Sequence, residues 1–258
     1  MAQSLCETAE IPSVSDLSKA LRERAEDSIS QLRRAVAEFK NVCYANSLGS
    51  ESMVLTDLIW GSAPEIDPQI EIFSIDTGRL YPETYDLIDR MQQRYGRALR
   101  IYYPKAEELE GWVGKNGING FRDGLDQRRG CCEVRKVQPF RRAISGRAAW
   151  ITGIRRGQSA SRALAAPVEW DSVYGLHKVS PLLEWSENEI WDYIRRKRLP
   201  YNTLHDSGFP SIGCAPCTRA VQPGEDERSG RWWWERSDSR ECGLHPRRQM
   251  AATRAPQR

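Results

Sequence analysis

Short apolar runs alternate with amphipathic helical segments along this chain, and that alternation constrains the fold more than any other feature. Three runs have the length and apolar content of buried strands: "NVCYAN" (41–46), "IEIFSID" (70–76) and "ALRIYYP" (98–104). Segments with helical spacing of apolar residues lie before and between them, at 16–39, 50–60 and 83–96. Because strands in this order need helical crossovers, the sequence predicts an α/β fold: a mainly parallel twisted sheet with helices on both faces.

The second half of the chain continues this pattern. "AAWITGI" (148–154) and "VYGLHKVSPL" (173–182) are predicted as later strands. The helix predicted for "SENEIWDYIRRKRL" (186–199) begins with Ser186 and Glu189 in the spacing of a capping box. For the first helix, Ser15 and Asp16 are the predicted cap.

Length and composition set the expected organisation. The 258 residues, 40% of them apolar, suffice for one large core, so we expect one α/β domain over 15–236 between a flexible leader (1–14) and a mobile tail (237–258). No run approaches the roughly 20 apolar residues of a membrane span, and the first residues do not resemble a signal peptide. We therefore expect a soluble, cytoplasmic protein whose seven cysteines are reduced and serve metal binding or catalysis.

Positive charge is concentrated in one stretch. Between Arg122 and Arg162 there are eleven Lys or Arg residues against three acids, although the whole chain carries only +3. This surplus indicates either a solvated basic helix face or an anion-binding site. The basic residues are interleaved with glycines and cysteines and do not form one helical stripe, which favours a small phosphorylated ligand over nucleic acid.

Two loops follow predicted strands at the edge where parallel sheets bind ligands. "ANSLGSES" (45–52) turns through Gly49 into a helix, an arrangement that suits an anion but also serves simple helix capping. It lacks the Gly-Lys-Ser/Thr ending of a Walker loop, so triphosphate hydrolysis of that type is not expected. "SIDTGRLYPETY" (74–85) follows the next strand.

Four cysteines are the strongest chemical signal. "GCCEVRK" contains Cys131 and Cys132, and "GCAPCTR" contains Cys214 and Cys217 in a C-x-x-C. Four thiolates suit a structural zinc ion. Adjacent residues, however, point their side chains apart, and an iron–sulfur cube offers each thiolate its own iron. The pattern therefore favours a [4Fe–4S] cluster over zinc.

These cysteines, together with "DTGRLYPETY", "TGIRRGQSASR", "GRWWWE" and "ECGLH", make the chain resemble the assimilatory adenylyl-sulfate reductases, the iron–sulfur branch of the phosphoadenylyl-sulfate reductase family. The resemblance runs from about Val42 to Pro246. It implies an adenine-nucleotide α-hydrolase-like fold. The implied activity is reduction of adenosine 5′-phosphosulfate to sulfite and AMP, with thioredoxin or a glutaredoxin-like protein as reductant.

The resemblance also implies a role for Cys242, in the tail. Its thiolate would attack the sulfate sulfur, expel AMP and form an S-sulfocysteine that thioredoxin discharges, which requires a mobile segment. His245 and Arg240 would lower the pKa of this thiol, and Glu241 would oppose them.

By the same resemblance the substrate contacts are Ser47, Gly49 and Ser52 in the first loop, Thr77 and Gly78 for the adenosine, and Lys136, Arg162, Arg228 and Arg231 for phosphate and sulfate. "NSLGSES" is a variant of the family's serine-rich loop, which leaves the individual roles of its serines open. The "RWWWE" segment is interpreted as a packing strand rather than a base-stacking platform. The cluster's implied role is electrostatic and structural, with Lys136 linking it to the substrate.

Rival functions remain open at this stage. A reductase of the 3′-phosphorylated nucleotide would share these features. A nucleotide-activating thiolation enzyme would share the sheet and loop but release pyrophosphate from ATP. A zinc-stabilised nucleotide-binding regulator would have no turnover. The sequence also leaves open whether the chain forms a homo-oligomer.

Overall fold

Parallel strand pairing organises the sheet. The computed structural model describes residues 17–158 and 162–235, and its strands lie in the order β3-β2-β1-β4-β6-β5. Their bounds are β1 Val42–Ala45, β2 Ile70–Ile75, β3 Arg100–Tyr102, β4 Ala149–Ile151, β5 Val168–Asp171 and β6 Leu176–Val179. All neighbours pair in parallel except β5, which runs antiparallel to β6 at the sheet edge. The predicted mainly parallel α/β sheet is confirmed.

Seven α-helices surround the sheet in the described residues. They are α1 Lys19–Glu38, α2 Ser50–Thr56, α3 Pro82–Tyr95, α4 Ala106–Asn116, α5 Leu125–Cys132, α6 Gln138–Ile144 and α7 Glu187–Arg196. A π-helical turn, Asp57–Ser62, extends α2, and a second, Glu133–Val137, joins α5 to α6. None of the helices in this part of the chain is long and apolar enough to cross a membrane.

Alternate residues of β1 face different cores. Tyr44 lies in the larger core with residues of α1, α2, α3 and α7. Cys43 lies in a smaller core with Phe140 of α6 and Trp150 of β4. Helices therefore cover both faces, as predicted. Cys43 is fully buried and burial raises the pKa of its thiol to about 12, so it serves as a small core residue and not as a reactive thiol.

The predicted helix caps had different outcomes. Ser186 and Glu189 form the expected capping box at α7, with each side chain accepting a hydrogen bond from the other's backbone N–H. At α1 the prediction was wrong, because Ser18, and not Ser15 or Asp16, caps the helix by accepting from Leu21 N at 3.4 Å. Leu17 is buried in the core directly before this cap, so packing selects the later serine.

The order of the strands creates a crevice beside β1. From β1 the chain proceeds outward to β2 and β3, then crosses back to place β4 on the other side of β1. Open parallel sheets bind ligands at such a reversal, outside the carboxyl ends of the strands. The segments after β1, β2 and β4 therefore meet at one edge of the sheet.

A buried carboxylate ties the helices of the larger core together. Asp57, with no exposed surface, accepts hydrogen bonds from Tyr95 OH at 2.9 Å and from Tyr193 OH at 2.8 Å. Lys197 Nζ, also buried, lies 3.5 Å from the same carboxylate. One side chain thus joins α2, α3 and α7.

Asp57→Ala should lower the free energy of unfolding by about 3–5 kcal/mol, because it leaves a buried ammonium and two buried hydroxyls without their shared carboxylate. Urea denaturation measures the loss. Glu65→Ala is the control, since Glu65 pairs with Arg33 on the surface and should leave stability near the wild-type value. Equal losses in both variants would contradict a special role for Asp57.

Candidate functional site

A cavity of about 300 Å³ opens at the carboxyl ends of β1, β2 and β4. Its opposite wall comes from the segments around 210–217 and 227–232. Twelve of the predicted site residues line it: Ser47, Gly49, Ser52, Thr77, Cys131, Cys132, Lys136, Arg162, Cys214, Cys217, Arg228 and Arg231. Gly78 is not among the described lining residues. The structure therefore brings nearly all of the predicted residues together.

The loop after β1 is held by its own polar side chains. Asn46 Oδ1 accepts from Leu48 N at 2.8 Å, and Leu48 adopts a left-handed backbone with φ 60°. Ser52 Oγ accepts from Ser47 N at 3.1 Å and lies 2.9 Å from Ser47 Oγ. Gly49 then precedes α2 directly. This geometry presents hydroxyls and the first turn of a helix to the cavity, an arrangement suited to an anion.

Basic side chains dominate the charge of the cavity. Eight line it: Arg79, Arg128, Arg135, Lys136, Arg155, Arg162, Arg228 and Arg231. Three acids, Glu51, Glu187 and Glu227, also line it. Glu51 is engaged, because its Oε1 accepts from Arg155 Nε and Gln158 Nε2, each at 2.8 Å. The remaining surplus suits a ligand with several negative charges.

The acids mark the part of the cavity that disfavours negative charge. Burial raises the pKa of Glu227, and the neighbouring Glu187 carboxylate raises it further. Glu187 is the first residue of α7. An anion is therefore disfavoured beside these two carboxylates.

Four cysteines form one cluster, here called the thiol cluster: Cys131, Cys132, Cys214 and Cys217. None of the four forms a disulfide. They pack with aromatic side chains, namely Phe121, Trp232, Trp112 and Trp234. Burial raises the pKa of both Cys131 and Cys217, and neighbouring thiols raise them further. Thiolates in this environment therefore need a positive group among them.

The segment after β2 holds the C-x-x-C in place. Ala215 N donates to Arg79 O at 2.8 Å. Tyr81 OH lies within hydrogen-bond distance of Ala215 O and Thr218 O, at 3.2 and 2.7 Å. Thr77 Oγ1 lies 3.2 Å from Cys214 Sγ. The segment after β2 thus lines the cavity and also contacts the half of the thiol cluster formed by Cys214 and Cys217.

The π turn after α5 provides a second contact between the thiol cluster and the segment after β2. Arg135 is buried, donates to Thr77 O at 2.7 Å, and its charge lowers the pKa of Cys131. The next residue, Lys136, lines the cavity.

Gly78, with φ 70°, directs its N–H to Asp76 Oδ1 at 2.7 Å, which favours a turn-forming role. Its contact with adenosine stays a prediction.

The arrangement of the thiols bears on which metal group they fit. Within residues 17–158 and 162–235, no group of three or more His, Cys, Asp or Glu side chains is arranged to hold a metal ion. A zinc ion needs its four ligands directed at one point. A multi-iron cluster instead receives each thiolate at a separate iron, and which of the two groups the thiol cluster holds stays a prediction.

The "RWWWE" segment packs, but it is not a strand. Arg231 forms an isolated bridge with Thr218, and the residues after it form a turn. Trp232 is 2% exposed, adopts φ 45°, and donates its N–H to Cys217 O at 3.1 Å. The guanidinium groups of Arg128 and Arg231 lie over its ring at 4.6 and 4.7 Å. The interpretation of this segment as a packing element is confirmed, and the prediction that it forms a strand was wrong.

Gly213 permits the close approach of Arg231. A Cβ at position 213 would lie 2.3 Å from Arg231 Nη2, which no side chain tolerates without displacement. Arg231 is 9% exposed and held beside Ser211 and Ile212. The glycine before Cys214 therefore sets the position of a cavity arginine.

Sequence reasoning missed several lining residues. Arg79, Arg135 and Arg155 lie within the motifs already noted, and the first two directly contact the segments that carry cysteines. Trp191 and His205 also line the cavity, with ring centroids 5.1 Å apart. Burial lowers the pKa of His205. The basic surplus between 122 and 162 signalled Arg135 and Arg155 but not Arg79, and nothing in the sequence signalled the aromatic pair.

Some predictions lie outside the described residues. These are Cys242 with its neighbours Arg240, Glu241 and His245, the leader over 1–14 and the tail over 237–258. The assigned role of Cys242 therefore stays a prediction.

Comparison with known proteins agrees with the site. The family model for the phosphoadenosine phosphosulfate reductase domain matches residues 41–220. The adenosine 5′-phosphosulfate reductase of Allochromatium vinosum is 47% identical over 236 residues, which cover 92% of this chain and 90% of that protein.

Two solved structures are similar in fold. A phosphoadenylyl-sulfate reductase from Candida auris, in a phosphate complex, matches with a TM-score of 0.63 and 28% identity, covering 80% of this chain and 98% of that one. Candida glabrata FMN adenylyltransferase with ATP matches with a TM-score of 0.56, covering 90% and 77%, at 16% identity. The second match shows the fold alone.

Gly213→Ala should weaken AMP binding about tenfold, equivalent to about 1.4 kcal/mol, because the new methyl group displaces the Arg231 guanidinium. Isothermal titration calorimetry with AMP measures this. Gly111→Ala is the control, since nothing lies within 4 Å of a Cβ there. Unchanged affinity in Gly213→Ala would show that Arg231 does not contact the nucleotide.

Proposed function

Since the chain belongs to the phosphoadenosine phosphosulfate reductase domain family, we propose that it reduces adenosine 5′-phosphosulfate to sulfite and AMP in sulfate assimilation. The observation that carries this proposal is a basic cavity at the strand reversal with four cysteines in its wall. Relatives named adenosine 5′-phosphosulfate reductase support the choice of nucleotide. The reductant is a thioredoxin or a glutaredoxin-like protein, and the reaction takes place in the cytoplasm.

In this proposal the cavity separates the parts of the nucleotide by charge. Thr77 and the strand ends around it contact the adenosine, and the serines and amides of the loop after β1 contact the phosphate. Lys136, Arg162, Arg228 and Arg231 neutralise the phosphosulfate and stabilise the charge that develops on the departing AMP. Charge supports this assignment, because basic side chains outnumber acidic ones in the lining and favour a ligand with several negative charges.

The thiol cluster is proposed to hold a [4Fe–4S] group. The donor set suits it: four cysteines outside any disulfide come together among aromatic residues, and a cube offers adjacent Cys131 and Cys132 separate irons. When bound, the group supplies positive iron centres that stabilise the buried thiolates and a fixed electrostatic field beside the substrate. Thr77 and Arg135 approach Cys214 and Cys131 from the cavity side, and Lys136 extends that link to the substrate.

Replacing Cys131, Cys132, Cys214 or Cys217 with Ala should lower iron from about four atoms per chain and abolish turnover, since each cysteine is proposed to hold one iron. Iron and sulfide analysis of anaerobically purified protein measures this. Cys43→Ala is the control, because Cys43 is also outside any disulfide but lies buried in the other core. Full iron content in any cluster variant would remove that cysteine from the ligand set.

Cys242 is the proposed nucleophile. Its thiolate attacks the sulfate sulfur, a sulfur–sulfur bond forms, and the bond from sulfur to the bridging oxygen breaks with its electron pair passing to AMP. A thioredoxin thiolate then attacks Cys242 Sγ and releases sulfite. The second thioredoxin thiol resolves the mixed disulfide, so thioredoxin is oxidised by two electrons and Cys242 returns as a thiol.

Without reductant, the wild-type protein should release about one AMP per active site from adenosine 5′-phosphosulfate and then stop. The trapped protein should carry one SO₃ unit on the peptide that contains Cys242. Cys242→Ser should abolish the burst while keeping AMP affinity and iron content, because a hydroxyl is a far poorer nucleophile than a thiolate.

Steady-state turnover with reduced thioredoxin, compared between adenosine 5′-phosphosulfate and its 3′-phosphorylated form, tests the alternative substrate. A lower kcat/KM for that nucleotide is expected, and an equal or higher value would favour the phosphoadenylyl-sulfate reductase activity named for the Candida auris neighbour.

In the experiment without reductant, two outcomes would contradict the assignment of Cys242: AMP release only when reductant is present, or SO₃ on another cysteine.

A further inference from the structure

The carboxamide of Gln158 joins three segments of the cavity wall. Gln158 ends the short helical turn Arg156–Gln158 that follows β4. Its Nε2 donates to Glu51 Oε1 at 2.8 Å, and Glu51 lies in the first turn of α2. Its Oε1 accepts from Arg155 N at 3.0 Å and from Arg162 Nη1. One neutral side chain thus contacts α2, the backbone after β4 and an arginine of the cavity.

The partners of this carboxamide fix its orientation. The Glu51 carboxylate can only accept and the N–H groups of Arg155 and Arg162 can only donate, so the amide nitrogen must face the first and the oxygen the other two. Those two donors engage both lone pairs of Gln158 Oε1. Although Gln158 lines the cavity, its carbonyl oxygen is therefore committed to the protein and not to a ligand.

The side on which Gln158 rests is well supported. Glu51 Oε1 also accepts from Arg155 Nε at 2.8 Å, and the two side chains are only 16% and 7% exposed. A Cβ at Gly153 would lie 3.1 Å from Glu51 Cβ, so the segment after β4 packs closely against α2. The contact with Glu51 therefore holds the carboxamide in one place.

The two arginines in this network have partners of different charge. Arg155 pairs with a carboxylate, which balances its charge. Gln158 binds Arg162 without adding negative charge to the contact. An arginine that is held in place before the ligand arrives loses less side-chain entropy when it binds. A neutral partner provides this advantage and does not weaken the attraction of the guanidinium for an anion.

We propose that Gln158 is a positioning residue, whose carboxamide holds the Arg162 guanidinium at the anionic end of the nucleotide. The inference rests on the proposed function, in which Arg162 contacts phosphate or sulfate. Because Gln158 acts through Arg162, its replacement should weaken binding only while that arginine is present. It should also affect only ligands that carry an anionic group.

ADP and adenosine are suitable probes for this test. ADP carries a phosphoryl group where adenosine 5′-phosphosulfate carries the sulfate, and it is not reduced. Adenosine lacks both anionic groups. Isothermal titration calorimetry gives the dissociation constant of each for the full-length wild type, Gln158→Leu, Arg162→Ala and the double variant. Gln69→Leu is the matched control, because Gln69 is exposed and its carboxamide contacts only Glu65 O among the described residues.

Gln158→Leu should weaken ADP binding about fivefold, because Arg162 then loses more side-chain entropy on binding. Adenosine affinity should not change, and Gln69→Leu should bind both ligands as the wild type does. In the Arg162→Ala background, Gln158→Leu should cause no further loss. Such a double-mutant cycle isolates the coupling between the two side chains.

Gln158→Glu tests the importance of a neutral partner. This change keeps an acceptor for Arg162 but adds a negative charge beside Glu51 and the ligand, so ADP binding should weaken more than in Gln158→Leu. Tighter ADP binding than in Gln158→Leu would show that neutrality is not needed. If Gln158→Leu does not fold, Gln158→Asn replaces it in the same cycle, since its carboxamide is one methylene short of Arg162.

Three results would overturn the positioning role: unchanged ADP affinity in Gln158→Leu, an equal loss of adenosine affinity, or the same loss in the Arg162→Ala background. The last two would show an effect that is not exerted through Arg162. If Arg162→Ala alone binds ADP as tightly as the wild type, the fault lies in the proposed function, whose contact between Arg162 and the nucleotide would be overturned together with this inference.

Discussion

Parallel pairing of β1 with strands on both sides is the constraint on which the site depends. Because β2 and β4 run in the same direction as β1, their carboxyl ends meet at one edge. The chain adds β2 and β3 on one side of β1 and β4 on the other, so the segments that follow β1, β2 and β4 diverge and leave a crevice. Serines after β1, Thr77 after β2 and Arg155 after β4 reach the cavity for this reason, although they are distant in sequence.

The cavity and the thiol cluster depend on each other. Thr77 contacts Cys214 and accepts from Arg135, whose charge acts on Cys131. A shift of the strand end after β2 would therefore move both the cavity wall and the cysteines. Buried arginines in such a place cost free energy unless anionic groups balance them, as Glu235 does for Arg128 and Glu51 for Arg155.

The basic surplus between Arg122 and Arg162 indicated an anion-binding site but did not identify the residues that form it. Five of its members line the cavity: Arg128, Arg135, Lys136, Arg155 and Arg162. Others pair with acids elsewhere, as Arg147 does with Glu71 and Arg156 with Glu184. Counting the charges in a segment predicts an anion-binding site. It does not identify the arginines that form the site, because their position depends on which side of each element faces the crevice.

The sequence by itself determined the sheet strands β1 to β4 and β6, the capping box at α7, the two cysteine motifs and the resemblance to the reductase family. Each of these follows from local periodicity or from the spacing of a few residues. Tertiary structure alone decided the cap of α1, the edge strand β5, the Asp57 network and the Arg128–Glu235 pair. These depend on groups that lie far apart in the chain, 107 residues for the last pair, and become neighbours only when burial of apolar surface brings their elements together. A local pattern carries no information about which distant group will satisfy a buried charge.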